Sequence, residues 1–281
     1  MYIGSRTLRS NVDLVLVPTV VTDSLNRPVT NLEKQNFTVF DGNQAQEIKY
    51  FNTEDMPISI GILLDTSGSM KNEKFVLAKK AVTEFFSNAN RDDDYFVITF
   101  SERPQLLADT TRSITTIENE LENVTPSGGT PLLDAIYLGL DKLKNARYQR
   151  RALIIISDGG DNTSRYRSRE IRSIAQESDA QIYALGIFNP VPIAIEDWKG
   201  KKLLSEITDA TGGRSVFLSS PDRLPEISAA FSRELRNQYV LGYRPTELQR
   251  DGRLHKITVK LSAGFAHPAQ LHYKRQYLAS R

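Results

Sequence analysis

The chain contains no cysteine, which excludes disulfide bonds, zinc–thiolate centres and thiol catalysis. Its histidines are also few, and all of them lie near the C-terminal end: His255, His267 and His272. Residues 1–254 therefore have no imidazole for acid–base catalysis. No apolar run approaches the roughly 18 residues that a membrane-spanning helix needs, so we expect no transmembrane segment.

An excess of either charge is also missing. Lys and Arg total 36 against 34 Asp and Glu, a formal net charge of +2, which gives no support for a nucleic-acid partner. The apolar run from Val12 to Val21 is interrupted by Asp13, Pro18 and Thr19, and no small-residue cleavage site follows it. We therefore interpret this run as a strand, with no signal peptide visible.

The 281 residues divide into two kinds of pattern. From Pro57 onward, buried strands alternate with amphipathic helices. This alternation predicts a doubly wound, Rossmann-like α/β domain over residues 55–237, with a mostly parallel six-stranded sheet and helices on both faces. Residues 11–54 and 238–278 instead alternate polar and apolar positions in short strands. We predict that these two ends pair in a small, antiparallel, β-sandwich-like accessory module.

The stretch from Ile58 to Met70, ISIGILLDTSGSM, carries the clearest chemical signal. Its apolar first half predicts a strand buried on both faces, and the strand stops at Asp65. Ser67 and Ser69 follow at alternate positions, in the turn where open α/β sheets bind ligands. One carboxylate and two hydroxyls are hard oxygen donors, which suit Mg²⁺, Mn²⁺ or Ca²⁺.

Two later turns are expected to reach the same place. Thr130 follows a pair of glycines that let its loop approach closely, and Asp158 ends the next long buried strand. We predict that the strand before Asp158 lies beside the strand before Asp65, which would bring the three turns together. Each turn also has a simpler interpretation: the Asp65 and Thr130 segments as helix N-caps, with Pro131 at the first helical position, and Asp158 as an ordinary turn.

The motifs DTSGS, SGGTP and SDG, in this order, resemble the metal-ion-dependent adhesion site of von Willebrand factor A domains. The resemblance covers about residues 55–237. It implies a metal site made of Asp65, Ser67, Ser69, Thr130 and Asp158, with direct contacts from the two serines. The motifs NFTVFDGNQAQEI and YVLGYRP outside this range resemble a bacterial subgroup of such proteins found notably in acidobacteria.

The resemblance implies a binding module and not an enzyme. The bound ion, Mg²⁺ with Mn²⁺ or Ca²⁺ as alternatives, would accept a Glu or Asp carboxylate from a protein partner. Because few charges hold the ion, it would stay electrophilic and prefer an anionic oxygen. The resemblance also implies a secreted or otherwise extracytoplasmic location, whereas the oligomeric state has no signal in the sequence.

Two other functions stay open at this point. A scaffold role in an exported or membrane-associated assembly would make the metal purely structural. An aspartate-dependent phosphohydrolase would also start from a strand that ends in Asp-Thr-Ser-Gly-Ser. That chemistry needs a second carboxylate two residues after the first, where this chain has Ser67. The P-loop pattern GxxxxGK[ST] is absent, which excludes that class of nucleotide hydrolase.

Several further segments carry weaker signals. The loop Asn189 to Gly200 leaves a predicted strand on the metal side, and we expect it to form either a partner-contact rim or a satellite core. Its apolar residues are Val191, Ile193, Ile195 and Trp198. Asp161 and Asn162 are expected either to tune the metal site or to shape a turn. The Asp92-Asp93-Asp94 run is interpreted as a solvated turn, and His272, Lys274 and Arg275 as a solvated strand edge.

Overall fold

The computed structural model describes residues 14–24, 27–158, 160–187, 195–246, 251–262 and 269–279, with side chains in the fourth range from residue 198 onward. The strands are β1 (Val15–Thr22), β2 (Phe37–Asp41), β3 (Gln44–Gln46), β4 (Ile48–Asn52), β5 (Ser59–Asp65), β6 (Asp94–Phe100), β7 (Pro104–Thr111), β8 (Arg151–Ser157), β9 (Gln181–Ile187), β10 (Ser215–Leu218), β11 (Tyr239–Tyr243), β12 (Leu254–Leu261), β13 (Gln270–Tyr273) and β14 (Gln276–Leu278). The helices are α1 (Glu73–Phe86), α2 (Ile114–Glu122), α3 (Leu132–Lys144), α4 (Ser168–Glu177), α5 (Ile195–Thr211) and α6 (Leu224–Arg236).

A six-stranded sheet in the order β10-β9-β8-β5-β6-β7 forms the centre of the molecule. All neighbours are parallel except β7, which runs antiparallel to β6 at one edge. Every residue of β5, β6 and β9 is buried, because helices cover both faces of the sheet. The predicted α/β architecture is therefore confirmed.

Successive residues of the central strands point to opposite faces and supply two separate cores. Ile62 and Leu64 pack with α1, α2 and α6, whereas Leu63 packs with α3, α4 and α5. Within the described part of the chain, no helix combines the length and the apolar character needed to cross a membrane.

Strands from the two ends of the chain combine in two antiparallel sheets, ordered β13-β1-β11-β4 and β14-β12-β2-β3. In the first sheet, β11 lies between β1 and β4, so that Leu241 is paired with both Val17 and Phe51. In the second sheet, Val259 of β12 is paired with Val39 of β2. One hydrophobic cluster takes side chains from both sheets, so the two sheets share a core.

The C-terminal segment divides between these two sheets. β13 pairs with β1, and after two residues β14 pairs with β12 in the other sheet. The intervening Lys274 donates a hydrogen bond from Nζ to the Ser178 carbonyl at 2.7 Å. This contact joins the terminal sheets to the end of α4, beside the six-stranded sheet.

The prediction of a solvated basic edge is wrong for two of its three residues. His272 and Lys274 are only partly exposed, and Arg275 alone is exposed. Burial lowers the pKa of His272 to about 4, with a smaller contribution from the positive charges of Arg214 and Arg275. Burial also lowers the pKa of Lys274. The sequence pattern missed this because the α/β part covers the segment.

The interpretation of Asp92-Asp93-Asp94 as a solvated turn is also wrong, except for Asp92. Asp94 is buried in β6, and Asp93 is 1% exposed. The Asp93 carboxylate accepts hydrogen bonds from the Ile58 amide at 2.8 Å and the Tyr95 hydroxyl at 3.1 Å. It also forms an ion pair with Arg236 at 3.1 Å. The run therefore contributes a buried junction at the amino end of the sheet.

Gly212 allows the terminal sheets to lie against the end of α5. Its φ is +79°, and a Cβ there would lie 2.3 Å from the Lys274 amide nitrogen. We expect Gly212→Ala to lower the free energy of unfolding by about 2–4 kcal/mol, because both the backbone and the neighbouring strand would have to move. Urea denaturation checks this value.

Gly42→Ala is the matched control for this substitution. Gly42 also has a positive φ, +57°, but a Cβ there would meet no atom within 4 Å. Gly42→Ala is therefore expected to lower the free energy of unfolding by about 1 kcal/mol, which is the cost of placing alanine in a left-handed backbone conformation. An equal decrease in the free energy of unfolding in the two variants would contradict the close packing at Gly212.

Candidate metal centre

The predicted site residues come together at the carboxyl edge of the six-stranded sheet. β5 and β8 are parallel neighbours in register, with Leu64 paired to Ile156, so Asp65 and Asp158 leave the sheet side by side. Hydrogen bonds tie the β5 turn to the loop that carries Thr130. Gly68 donates to the Gly128 carbonyl at 3.0 Å, and Ser127 donates to the Thr66 carbonyl at 2.8 Å.

Three of the five side chains form a continuous row of oxygen atoms. The Ser67 and Ser69 hydroxyl oxygens are 3.0 Å apart, and the Ser69 hydroxyl donates to Asp158 Oδ1 at 2.7 Å. Ser67 is 2% exposed, while Ser69 is more accessible. The row therefore has one side that solvent can reach, which a bound ion would require.

Asp65 lies beneath this row and is completely buried. Its Oδ1 accepts from the Ser67 amide at 2.8 Å, and its Oδ2 accepts from the Ser157 hydroxyl. Burial raises the pKa of Asp65 to about 6, against the lowering effect of the hydrogen bonds from Ser157 and Ser67. Since both oxygens already have protein donors, Asp65 organises the turn.

Thr130 is 4% exposed and lies just before α3. The structure has Pro131 as the N-cap of α3 and Leu132 as its first residue, so the interpretations of Thr130 as N-cap and Pro131 as first helical residue are wrong. Among the described residues, none hydrogen-bonds to the Thr130 hydroxyl. That hydroxyl is therefore not used in capping the helix.

The loop after β8 holds the Thr130 loop in place. Asn162 accepts from the Thr130 amide through Oδ1 at 2.7 Å and donates its own amide to the Thr130 carbonyl at 3.1 Å. Asp161 accepts from the Leu133 amide at 3.2 Å, at the start of α3. Burial raises the pKa of Asp161. Both residues position the neighbouring loop.

Lys74 is part of this arrangement, although no motif in the sequence points to it. Its ammonium forms an ion pair with Asp158 Oδ2. Ser157, which donates to Asp65, was not predicted as part of the site either. Its position at the end of the strand beside β5 was the sequence feature that indicates such a role. For Lys74 no sequence signal separated it from the other polar positions of α1.

The proposed partner rim is only partly described. Val191 and Ile193 lie outside the described residues, as does the side chain of Ile195. α5 begins at Ile195, so Trp198 lies on a helix and not on the predicted loop. The Trp198 side chain is 56% exposed, with the Lys202 ammonium 5.1 Å from the ring centroid.

Residues 60–160 match the family model for the von Willebrand factor type A domain. Over these residues the chain is similar to von Willebrand factor type A domains. A solved von Willebrand factor type A protein from Catenulispora acidiphila has a similar fold, with a TM-score of 0.55 and 13% identity over 97% of this chain and 76% of that one. The PilB minor pilin from Streptococcus sanguinis also has a TM-score of 0.55 and 13% identity, over 66% of this chain and 63% of the pilin. At these identities, both similarities establish the fold alone.

Curated relatives match parts of the chain at low sequence identity. The magnesium-chelatase 67 kDa subunit of Chlorobaculum tepidum is 24% identical over 214 residues, covering 71% of this chain and 34% of that protein. Inter-alpha-trypsin inhibitor heavy chain H2 of Mus musculus is 24% identical over 164 residues, covering 53% of this chain and 17% of that protein. The chain thus spans about a third or less of the length of these relatives.

We expect Asn162→Ala to lower the free energy of unfolding by about 1 kcal/mol, because the buried Thr130 amide loses its acceptor. Thr163→Ala, an exposed neighbour in the same loop, is the control and is expected to stay within about 0.5 kcal/mol of the unsubstituted protein. Urea denaturation of the two variants measures the difference. An Asn162 variant as stable as the control would show that the loop contact is dispensable.

Proposed function

We propose that the von Willebrand factor A domain of this chain is a divalent-metal-dependent protein-binding module. Ser67, Ser69 and Thr130 would supply hydroxyl ligands, and Asp65 and Asp158 the negative charge. The bound ion would accept a Glu or Asp carboxylate from a protein partner. The observation that carries the proposal is the row of oxygens from Ser67 through Ser69 to Asp158, at the edge where three loops meet.

The donor set fits a small hard cation. The described residues contain no cluster of three or more acidic, histidine or cysteine side chains, so the ion would depend on hydroxyl oxygens and two carboxylates. Oxygens at adjacent octahedral positions lie about 2.9 Å apart around Mg²⁺ and about 3.4 Å apart around Ca²⁺. The observed separations of 3.0 and 2.7 Å are hydrogen-bond distances, and they place the three oxygens close enough together to become neighbouring ligands of one Mg²⁺, Mn²⁺ or Ca²⁺ ion.

The same contacts argue against the phosphohydrolase alternative. A nucleophilic aspartate needs a free carboxylate oxygen facing the substrate. Both oxygens of Asp65 instead accept hydrogen bonds from Ser67 and Ser157, and the residue is fully buried. We therefore propose a binding function and not a hydrolytic one.

We further propose a division of roles along the chain. Residues 55–237 would form the metal-binding domain, and residues 11–54 and 238–278 the accessory module that orients it. The shared core of the two terminal sheets and the contact from Lys274 to Ser178 support this division. The extracytoplasmic location stays a proposal that rests on the family resemblance.

Titration calorimetry of Mg²⁺ into EDTA-stripped protein tests the metal site. We expect saturable one-to-one binding that Ser69→Ala weakens roughly tenfold or more, because the hydroxyl that links Ser67 and Asp158 is lost. Ser101→Ala removes a hydroxyl from the loop after β6, at the same edge of the sheet, and is the matched control. Equal Mg²⁺ affinity in all three proteins would contradict the assigned ligands.

Acetate serves as a minimal carboxylate probe of the partner position in the same titration. If the ion keeps a position for an external carboxylate, acetate should tighten Mg²⁺ binding, whereas chloride at equal ionic strength should not. A metal that stabilises the fold but ignores acetate would favour the scaffold alternative, in which the ion is structural.

We also propose that Trp198, with Val191, Ile193 and Ile195, belongs to the partner-contact rim. Because its side chain is 56% exposed, Trp198→Ala should change the free energy of unfolding by less than about 1 kcal/mol. Leu204→Ala, at a fully buried position on the same helix, should cost about 2–5 kcal/mol. Urea denaturation checks both values, and a loss at Trp198 as large as at Leu204 would favour the satellite core.

A further inference from the structure

Lys74 is the second residue of α1, and its ammonium lies on Asp158 Oδ2. The other oxygen of the same carboxylate, Oδ1, accepts from the Ser69 hydroxyl at 2.7 Å. Lys74 therefore pairs with one oxygen of the Asp158 carboxylate, and the other oxygen lies at the end of the row of candidate metal ligands. Asn72, two residues earlier, has a φ of 62°, and this unusual backbone turn brings the start of α1 beside the site.

The two partners of this ion pair differ in their access to solvent. The Asp158 side chain is 1% exposed, whereas that of Lys74 is 29% exposed. A buried carboxylate needs a cation or several hydrogen-bond donors, because leaving it alone in a low-dielectric site is costly. Lys74 supplies that cation within the described residues, and its flexible stem gives the ammonium a route back to water.

A divalent ion bound to Ser67 and Ser69 would lie next to the same carboxylate. The ammonium and the ion would then repel each other at short range, in a site that is partly shielded from solvent. Both cations cannot share Asp158 favourably. The more exposed and more flexible one is expected to leave.

We propose that Lys74 is an intramolecular competitor of the metal ion, which neutralises Asp158 in the metal-free protein and is displaced when the ion binds. This inference deepens the proposed function and rests on it. Lys74 would weaken metal binding by the protein alone while keeping the metal-free site stable. The displaced ammonium would remain close to the ion and would favour an acidic partner.

Lys74→Met tests the competition, since it removes the charge and keeps much of the aliphatic stem. In the Mg²⁺ titration we expect this variant to bind roughly tenfold more tightly than the unsubstituted protein, because a like charge beside the ion is gone. Lys80→Met removes an exposed lysine further along the same helix and is expected to leave the affinity within about twofold.

A double-mutant cycle provides a second readout, the free energy of unfolding. Lys74→Met and Asp158→Asn should be coupled in urea denaturation with EDTA, because each removes one half of the ion pair. With saturating Mg²⁺, Lys74→Met should change the free energy of unfolding less than it does with EDTA in the protein that retains Asp158. The reason is that the ion has already displaced the ammonium from Asp158.

The outcomes separate this inference from the proposed function. Tighter Mg²⁺ binding by the Lys74→Met variant supports the competition between Lys74 and the ion. This holds even when Mg²⁺ binding by the unsubstituted protein is too weak to measure. Mg²⁺ binding that Lys74→Met leaves unchanged or weakens would overturn the competition and leave the metal module standing. No Mg²⁺ binding in any variant would overturn both. Coupling that is as large with Mg²⁺ as with EDTA would identify a purely structural ion pair.

Discussion

The parallel pairing of β5 with β8 is the constraint on which the candidate site depends. Because the two strands run in the same direction and in register, Asp65 and Asp158 reach the same edge of the sheet. Ser157, at the end of β8, donates a hydrogen bond to Asp65 although 92 positions separate the two residues in the sequence. Helices on both faces bury β5 completely and β8 from Ala152 onward, so two cores hold the ends of these strands. The hydroxyl-rich turn thus follows a regular buried strand, as a preorganised site requires.

The electrostatics of the site follow from its depth. Asp65 is fully buried and held by two donors, and burial raises its pKa to about 6. Asp158 is buried as well, but it meets a partly exposed cation, Lys74, from the neighbouring helix. In the metal-free protein this ammonium offsets the charge of Asp158.

Several contacts join the terminal sheets to the α/β part through residues other than the candidate ligands. Lys274 donates to the Ser178 carbonyl at the end of α4. Gln238 donates to Gln181 at 2.5 Å, which links the start of β11 to β9. These contacts leave the carboxyl edge of the six-stranded sheet to its own loops.

The sequence by itself determined the α/β alternation and the buried strands that end at Asp65 and Asp158, because these depend on local periodicity. The five candidate ligands came from the resemblance of its motifs to a known family. Only the tertiary structure decided which residues support the ligands. Asn162 holds Thr130, and Lys74 meets Asp158, through contacts between residues 32 and 84 positions apart. Asp93 reads as a solvated turn in the sequence but lies buried against Arg236. Burial and pairing of a charged side chain depend on what distant elements place around it, and local pattern carries no information about that.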